Sequence, residues 1–544
     1  IRADAGAVTA SAAVSADAKG IALALASAAS EAEASGIDSG NGNHWITNSG
    51  AIDANASAVA AAANVAVSGK GLAAGVDTVW DRGTRADADA AAIRTGDGLD
   101  LVENEGALSA TATTVSASAD VAVVGEGVSV ALGTSSAEAL ASGIATGAGC
   151  DAITNSGSIQ VDALASANAL GVAVSGKGVS GSGNDSWDGG VEAAAKALGI
   201  DAGSGSNLVV NSGAVRADAR AIAAGASVAV TGTGLSAAVS TATAAAAATG
   251  VDSGSGPGVV LNSGTIDASA SATAVLADVA VTGTGLSGAS GSVWDGGTAS
   301  SAGATGIATG SYGDIVKGSG AVSATAAAVT VSASAAATGT GVALAATTAT
   351  TEAVATGIST GDGDDRVEWD GDIDADADST GVAAAVAVTG VGLSGSFDAV
   401  WDGGTDTSAF AAGIDSGAGV DAIIHSGGIE ASAIALGVAA ELAVTGKGVS
   451  LAATASTTTA EALGIGSGEG DDEIRHDGSI DVDATGTGIA VATTVTGIGL
   501  SGATGSVWDG GATTLVAATG IDSGSGDDSV TNSGAIDEIG RAHV

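Results

Sequence analysis

The chain has 544 residues and a mass of 49.7 kDa. It contains 89 Gly, one Pro, no Met and only 2% aromatic residues, which excludes a core built from large side chains. The 60 acidic and 15 basic residues give a net charge of −45. This charge excludes a nucleic-acid partner and disfavours an anionic membrane surface, because binding to either requires basic protein surface.

The composition also limits other classes of protein. Because 45% of the residues are hydrophobic, the chain does not have the composition of a disordered protein. The single cysteine, Cys150, cannot form an internal disulfide. The uncharged stretch 318–351 is too rich in Thr, Ser and Gly for a membrane helix, so we expect no membrane insertion in this segment.

An internal repeat dominates the chain. Ten units end in Asn-Ser-Gly or a variant of it, and their lengths alternate between 51 and 56 residues, which gives five long repeats of 107 residues. The units end at Gly50, Gly106, Gly157, Gly213, Gly264, Gly320, Gly371, Gly427, Gly478 and Gly534. The five extra residues of the longer units belong to a segment such as SVWDGGT, whose Trp recurs every 107 residues.

A finer pattern within each unit predicts the fold. Between glycine turns, small apolar and small polar residues alternate, as in DASASATA at 267–274, which is typical of strands with one buried face. We therefore predict an all-β, parallel β-helix-like solenoid rod with about twenty coils, one for each glycine turn, and a length of roughly 95 Å. The alternative is an array of stacked long β-hairpins.

The ends of the chain differ from the repeat. The pattern begins in mid-unit at Ile1 and stops after Asp537, so we assign residues 1–537 to a single solenoid. We interpret residues 538–544 as a non-native sequence artefact, since they resemble a translated sequencing adapter. We expect the chain to be an internal piece of a longer protein of metagenomic origin.

The turn pattern GxGxDx(I/V) is the most specific local motif. It resembles the calcium loop of secreted bacterial RTX repeat proteins, and the wider string TGIDSGSGDDSVTNSGAI resembles autotransporter passengers and large surface adhesins, which are β-helices. This resemblance implies a secreted, extracellular or cell-surface bacterial protein. It also suggests a calcium site, because carboxylates are the oxygen ligands that Ca²⁺ prefers. The candidate ligands are Asp100, Asp151, Asp314, Asp362, Asp364, Asp365, Asp421, Glu469, Asp471, Asp472, Asp527 and Asp528.

The calcium hypothesis has an alternative. With two coils per unit, the acidic turns would lie about 9.6 Å apart, too far for neighbouring turns to share one ion. The alternative is a glycine turn with a solvated Asp, and no cofactor is then required. His44, Asn207 and Gly258 replace the Asp in three units.

The tryptophan loops suggest a second binding hypothesis. The periodic residues are Trp80, Trp187, Trp294, Trp401 and Trp508. Exposed indole rings stack on sugar rings, so these loops are candidates for glycan binding. The alternative is that each Trp covers small side chains on the rod. Ice binding on a flat Thr face would need a regular Thr array, and only runs such as TTATT at 347–351 and STTTA at 456–460 occur.

Catalysis is not supported by the sequence. The four His residues do not repeat and do not pair with a nucleophile at a known spacing, so we predict that the chain is not an enzyme. The expected function is a structural stalk or passenger region of an adhesin-like repeat protein. The alternative is a ligand-binding solenoid whose partners are glycans or other cell-surface components.

Overall fold

The computed structural model describes residues 1–77, 83–184, 190–290, 297–398, 404–504 and 511–543. In these residues the chain forms β-strands and turns without a helix, and the strands belong to three parallel sheets, which we name A, B and C. The predicted all-β solenoid is confirmed. The hairpin alternative is wrong for the described strands, because hairpin arms pair antiparallel and every pairing here is parallel.

Each unit forms one coil. Residues pair with the residue 51 or 56 positions further on, as Ser158 does with Ala214 and Ile153 with Val209. Sheet C therefore has ten strands for ten coils, and the prediction of about twenty coils is wrong. At about 4.8 Å per coil the stack is about 48 Å long, half the predicted length. The acidic turns of successive units thus lie about 4.8 Å apart, not 9.6 Å.

Sheet A includes the longest strands. It contains β1 (Arg2–Asp17), β2 (Gly20–Leu25), β5 (Ile52–Val76), β8 (Ala107–Gly133), β11 (Ser158–Asn184), β14 (Ala214–Val239), β17 (Ile266–Ser290), β20 (Val322–Thr347), β23 (Ile373–Asp398), β26 (Gly428–Ala453), β29 (Ser479–Thr504) and β32 (Ala535–His543).

Sheets B and C complete each coil. Sheet B contains β3 (Ala29–Asp38), β6 (Thr84–Arg94), β9 (Ser135–Ala145), β12 (Val191–Asp201), β15 (Ala242–Asp252), β18 (Thr298–Ala308), β21 (Ala349–Ser359), β24 (Thr405–Asp415), β27 (Ser456–Gly466) and β30 (Ala512–Asp522). Sheet C contains β4 (Trp45–Asn48), β7 (Leu101–Asn104), β10 (Ala152–Asn155), β13 (Leu208–Asn211), β16 (Val259–Asn262), β19 (Ile315–Gly318), β22 (Arg366–Trp369), β25 (Ala422–His425), β28 (Glu473–His476) and β31 (Ser529–Asn532).

The GxG turn within each long strand explains the number of coils. In β14 the chain reverses at Gly234, whose φ of +138° favours glycine, and the two arms then face each other through side chains instead of backbone hydrogen bonds. Ala229 on one arm and Ala238 on the other are fully buried, and Ser227 and Ser240 share a hydrogen bond of 2.5 Å between their Oγ atoms. We call this reversal the arch. It folds the coil into two layers without completing a turn of the solenoid.

The core of each coil is built from small residues. Alanines of the first arm of sheet A pack on alanines of sheet B, and most of the larger buried side chains, such as Ile159, Ile200 and Val209, lie at the corner beside sheet C. Because each buried methyl contributes only about 0.8 kcal/mol, stability must accumulate over many coils. The first arm of β11, before the arch, spans about 60 Å at about 3.3 Å per residue, so each coil of the solenoid forms a wide, flat slab.

The C-terminal residues form the last strand of sheet A. Strand β32 continues in register through His543, and Glu538 accepts a hydrogen bond of 2.8 Å from the backbone N–H of Gly520. Residues 538–543 thus pair like the rest of the solenoid, and the non-native origin of 538–544 stays a prediction.

No helix long and apolar enough to cross a membrane occurs among the described residues.

Candidate functional site

The turn between sheet C and sheet A contains a ladder of asparagines. The Asn of each Asn-Ser-Gly except the last, Asn532, is buried at the end of a sheet C strand. Asn155 donates from Nδ2 to Oδ1 of Asn211 at 2.7 Å and to the carbonyl of Gly157 at 3.2 Å, and it accepts from Asn104 at 2.7 Å. The same bonds link Asn48, Asn104, Asn155, Asn211 and Asn262. In the sequence this tripeptide marks the unit ends, and its recurrence in five of the ten units is the signal for the ladder.

In later coils a glycine and then three residues with aromatic rings occupy the position of the ladder asparagine. Gly318, Trp369, His425 and His476 follow Asn262 in register. A Cβ on Gly318 would lie 2.5 Å from Cζ3 of Trp369, so the missing side chain of Gly318 makes room for the indole ring. Trp369 is fully buried and supports this corner of the coil. The sequence analysis did not include it among the periodic Trp residues.

The two histidines form a buried stacked pair. The rings of His425 and His476 are 5.2 Å apart between centroids and 5° from parallel, and their Nδ1 atoms lie 3.1 Å apart. One Nδ1 must therefore donate and the other accept. Burial lowers the pKa of His425 to about 4, and it also lowers the pKa of His476. Both imidazoles are thus neutral near pH 7, and they act as ladder rungs.

The aspartates of the GxGxDx(I/V) turns form a second ladder. Each carboxylate accepts a hydrogen bond from the backbone N–H of the residue at the same position in the preceding coil. Asp151 accepts from Asp100 at 2.9 Å, Asp365 from Asp314 at 2.7 Å, and Asp421 from Asp365 at 2.8 Å. The members are Asp100, Asp151, Asp314, Asp365, Asp421, Asp472 and Asp528. Where Asn207 replaces the aspartate, its side-chain oxygen accepts the backbone N–H of Asp151 in the same way. The aspartates are therefore structural acceptors and not solvated side chains, except at the last coil.

Burial and stacking raise the pKa of several of these carboxyls. Asp365 is 3% exposed and its pKa is about 7, first because of burial and then because of the neighbouring charges of Asp421 and Asp314. The pKa of Asp421 is about 6 for the same two reasons, with Asp472 and Asp364 as the charged neighbours. Burial also raises the pKa of Asp151 and Asp314. Protonation relieves the repulsion within the ladder.

The remaining calcium candidates lie on the outer side of the same turns. Asp362, Asp364, Glu469, Asp471 and Asp527 are exposed. Asp364 accepts the N–H of Val420 at 3.0 Å and Asp471 accepts the N–H of Asp527 at 2.9 Å. The described residues contain no group of three or more His, Cys, Asp or Glu side chains arranged to hold a metal ion. Because several carboxylate oxygens already accept backbone bonds, calcium binding stays a prediction.

Two further carboxyls lie inside the slab, where the sequence analysis did not expect them. Asp278 accepts from Oγ of Ser240 at 2.5 Å, and burial raises its pKa to about 8. Asp120 accepts from Nδ2 of Asn64 at 2.7 Å, and burial raises its pKa to about 7. Both occupy inward positions of sheet A in a strict alternation, so strand parity could have identified them.

The arch is fastened by a ladder of hydroxyls. Thr231 donates from Oγ1 to the carbonyl of Leu235 at 2.8 Å, and it lies 2.5 Å from Oγ of Ser180 in the preceding coil. Equivalent Ser–Thr contacts occur at Thr282, Thr338, Thr445 and Thr496. The VAVTGTGLSG motif thus encodes a hydroxyl on each side of the turn.

The remaining candidates from the sequence are the Trp loops, the Thr runs and Cys150. The loops of Trp80, Trp187, Trp294, Trp401 and Trp508 lie outside the described residues. In the Thr runs, Thr351 and Thr458 are buried, so strand alternation directs only part of each run to the surface. Cys150 is exposed.

Comparison with known proteins adds no relative: no family model, curated protein or solved structure matches this chain.

Proposed function

We propose that this chain is a structural spacer, the stalk or passenger region of a secreted or surface-exposed bacterial adhesin-like protein, with no catalytic role. The observation that carries the proposal is the set of side-chain ladders that link neighbouring coils of the stack. Asn, Asp and Ser–Thr side chains each link one coil to the next, in addition to the backbone pairing. Because each coil contacts only its neighbours, an applied load passes from coil to coil through these bonds and the backbone pairing.

The proposed cellular location rests on the sequence motifs. The acidic surface, with a net charge of −45, suits a solvated exterior, and the turn motifs resemble those of autotransporter passengers and RTX proteins. The proposed partners are glycans or other cell-surface components. Antibodies raised against the chain should label intact cells of the source organism; labelling only after permeabilisation would contradict this location.

Single-molecule pulling between the two ends tests the mechanical role. We expect a series of force peaks, each releasing one coil, because each coil contacts only its neighbours. An extended residue spans about 3.5 Å, so the steps should alternate between about 180 and 195 Å of contour length. A single release of the whole chain at low force would contradict the role of a spacer.

A matched pair of variants sharpens this experiment. Asn155→Ala removes a buried rung of the asparagine ladder, whereas Asn168→Ala changes an outward-facing side chain on the neighbouring strand β11. Asn155→Ala should lower the force of a step, and Asn168→Ala should not. Equal forces for both variants would show that the ladder bears no load.

A further inference from the structure

The outer face of sheet A is divided into a polar and an apolar half. Outward positions in β11 are the even-numbered residues, and their register partners form rows that cross the coils. The rows through Gln160 and Asp162 contain charged residues such as Arg216 and Asp218. The five rows through Ser166, Asn168, Leu170, Val172 and Val174 contain only Val, Ala, Leu, Ile, Ser, Thr and Asn. We call these five rows, from β1 to β29, the apolar face.

The apolar face is exposed and flat. Val67, Leu170 and Val388 are 42%, 41% and 40% exposed, and their partners in the same rows lie side by side on a continuous parallel sheet. Eight residue steps along a strand and nine steps between strands give an area of about 27 by 43 Å, or roughly 1,150 Å². The largest apolar patch of a monomeric protein covers only about 300–600 Å².

We propose that a second copy of this chain covers the apolar face, through face-to-face packing of the two sheets about a two-fold axis. A stable interface buries about 800 Å² on each partner, which the apolar face exceeds. A self-complementary patch of small side chains without charge meets the requirement of an isologous contact. It is also the extended surface on which two chains of net charge −45 can meet without opposing carboxylates.

Charges beside the apolar face select the direction of the axis. At the arch, Lys70 and Lys177 lie along one border, with side chains 63% and 72% exposed; Glu126 lies between them and pairs with both, so this border keeps a net positive charge. Asp162 and Asp218 lie in a row near the opposite border. An axis parallel to the coil stack brings the lysine border of one copy over the acidic row of the other. An axis along the strands would place the acidic rows against each other, so the two solenoids run in the same direction.

Sedimentation velocity at 150 mM NaCl tests the proposal. We expect the unmodified chain to sediment at about twice its mass of 49.7 kDa at micromolar concentration. Ala277→Glu with Ala333→Glu places two charges in the apolar face and should yield a monomer. Ser271→Glu with Ala327→Glu places the same charges on the same strands but in the polar half, and it should remain a dimer.

Control measurements show whether the variants fold and whether the dimer forms through another surface. Circular dichroism of both double variants shows whether they fold, and all four positions point outward, so the core is unaltered. A monomeric unmodified chain would overturn the proposal, as would a dimer that persists in both double variants and so pairs through another surface. Flotation of a monomeric chain with phosphatidylcholine vesicles would point to a lipid occupant instead and would equally overturn it.

Crosslinking tests the direction of the axis and does not depend on disruptive variants. With parallel solenoids, the row through Leu170 lies near the axis, and Ala63 of one copy faces Ala63 of the other. In a Cys150→Ser background, Ala63→Cys should therefore crosslink with a short bis-maleimide. In the antiparallel arrangement the two positions would lie about 34 Å apart, so the absence of a crosslink in a dimer would overturn the parallel arrangement.

Discussion

Among single residues, Asn155 bonds through its side chain to the coil before it and to the coil after it. Its side chain is fully buried, donates twice and accepts once. Asn155→Ala leaves the amide of Asn104 and the Oδ1 of Asn211 each short of one partner. We expect a loss of about 1–3 kcal/mol in unfolding free energy, the cost of unpaired buried polar groups. Urea unfolding followed by circular dichroism measures this loss.

The control for this prediction is Asn168→Ala. Asn168 lies on the outer face, with a hydrogen bond of 3.3 Å to Ser166, and its removal should change stability by no more than about 0.5 kcal/mol. If Asn155→Ala cost as little as this control, the ladder would be dispensable.

Buried carboxyls give the protein an unusual dependence on pH. The pKa is about 7 for Asp120, 8 for Asp278, 7 for Asp365 and 6 for Asp421, against an ordinary value of 3.8. The folded chain holds protons that the unfolded chain releases, so their stabilisation is complete below pH 4 and is lost as the pH rises through 6 to 8. We expect a higher urea midpoint at pH 6 than at pH 8.

The histidine pair opposes this trend at lower pH. The folded pKa of His425 is about 4, below the ordinary 6.5, so its contribution is present above pH 6.5 and is lost as the pH falls towards 4. The four carboxyls outnumber the two histidines, so stability should still increase as the pH falls from 8 towards 4, and the histidine pair only makes this increase less steep below pH 6.5. A stability that rises steadily from pH 6 to pH 8 would contradict the raised carboxyl pKa values.

Asp278→Asn isolates one carboxyl. The variant keeps the shape of the side chain and removes its titration, so the difference in unfolding free energy between pH 6 and pH 8 should shrink by about 1–2 kcal/mol. Asp481→Asn, on the exposed outer face of β29, is the control and should leave the difference unchanged. The same urea titrations at both pH values measure the effect.

At the scale of elements, the two layers of a coil match each other in side-chain size. Gly381 in β23 faces Thr407 in β24, and a Cβ on Gly381 would also lie 3.0 Å from Oγ1 of Thr351. In an earlier coil the corresponding residues are Ala223 in β14 and Ala244 in β15. In the coil of β23 and β24, Gly381 thus makes room for the larger side chain of Thr407 on the other layer.

A double-mutant cycle tests this matching. Gly381→Ala should cost about 1–3 kcal/mol of unfolding free energy through overpacking. Adding Thr407→Ala recreates the pair of the earlier coil and should recover most of that loss, a coupling that additive effects would not produce. Gly303→Ala, on the open outer face of β18, is the control and should not destabilise. Additive losses in the double variant would contradict the matching.

At the scale of the whole molecule, the net charge of −45 opposes the compact state. Salt screens this repulsion, so the melting temperature should rise with ionic strength. If the acidic turns also bind Ca²⁺, as we predict from their resemblance to RTX loops, binding to the folded state adds further stability. Melting at matched ionic strength in NaCl, MgCl₂ and CaCl₂ separates the two effects. Equal melting temperatures in all three would leave screening alone and remove the calcium assignment.

The sequence alone determined the fold class, the repeat and the unit boundaries. Alternation of small residues at period two and glycines at recurring intervals are local properties, so they predict strands and turns directly. Strand parity overrode even the helix propensity of VEAAAKALG at 191–199, which forms part of β12. The residues of both turn ladders were also identifiable as recurring positions, although their roles were not.

Only the tertiary structure decided how many turns complete a coil. A glycine turn inside a long strand and one between sheets look alike in sequence, because both need the same backbone freedom at Gly. Which strands pair depends on contacts between residues 51 or 56 positions apart in the sequence. These contacts give ten coils instead of the predicted twenty. The same long-range register placed the aspartates one coil apart, buried Asp120 and Asp278, and gathered separate valines and alanines into one apolar face.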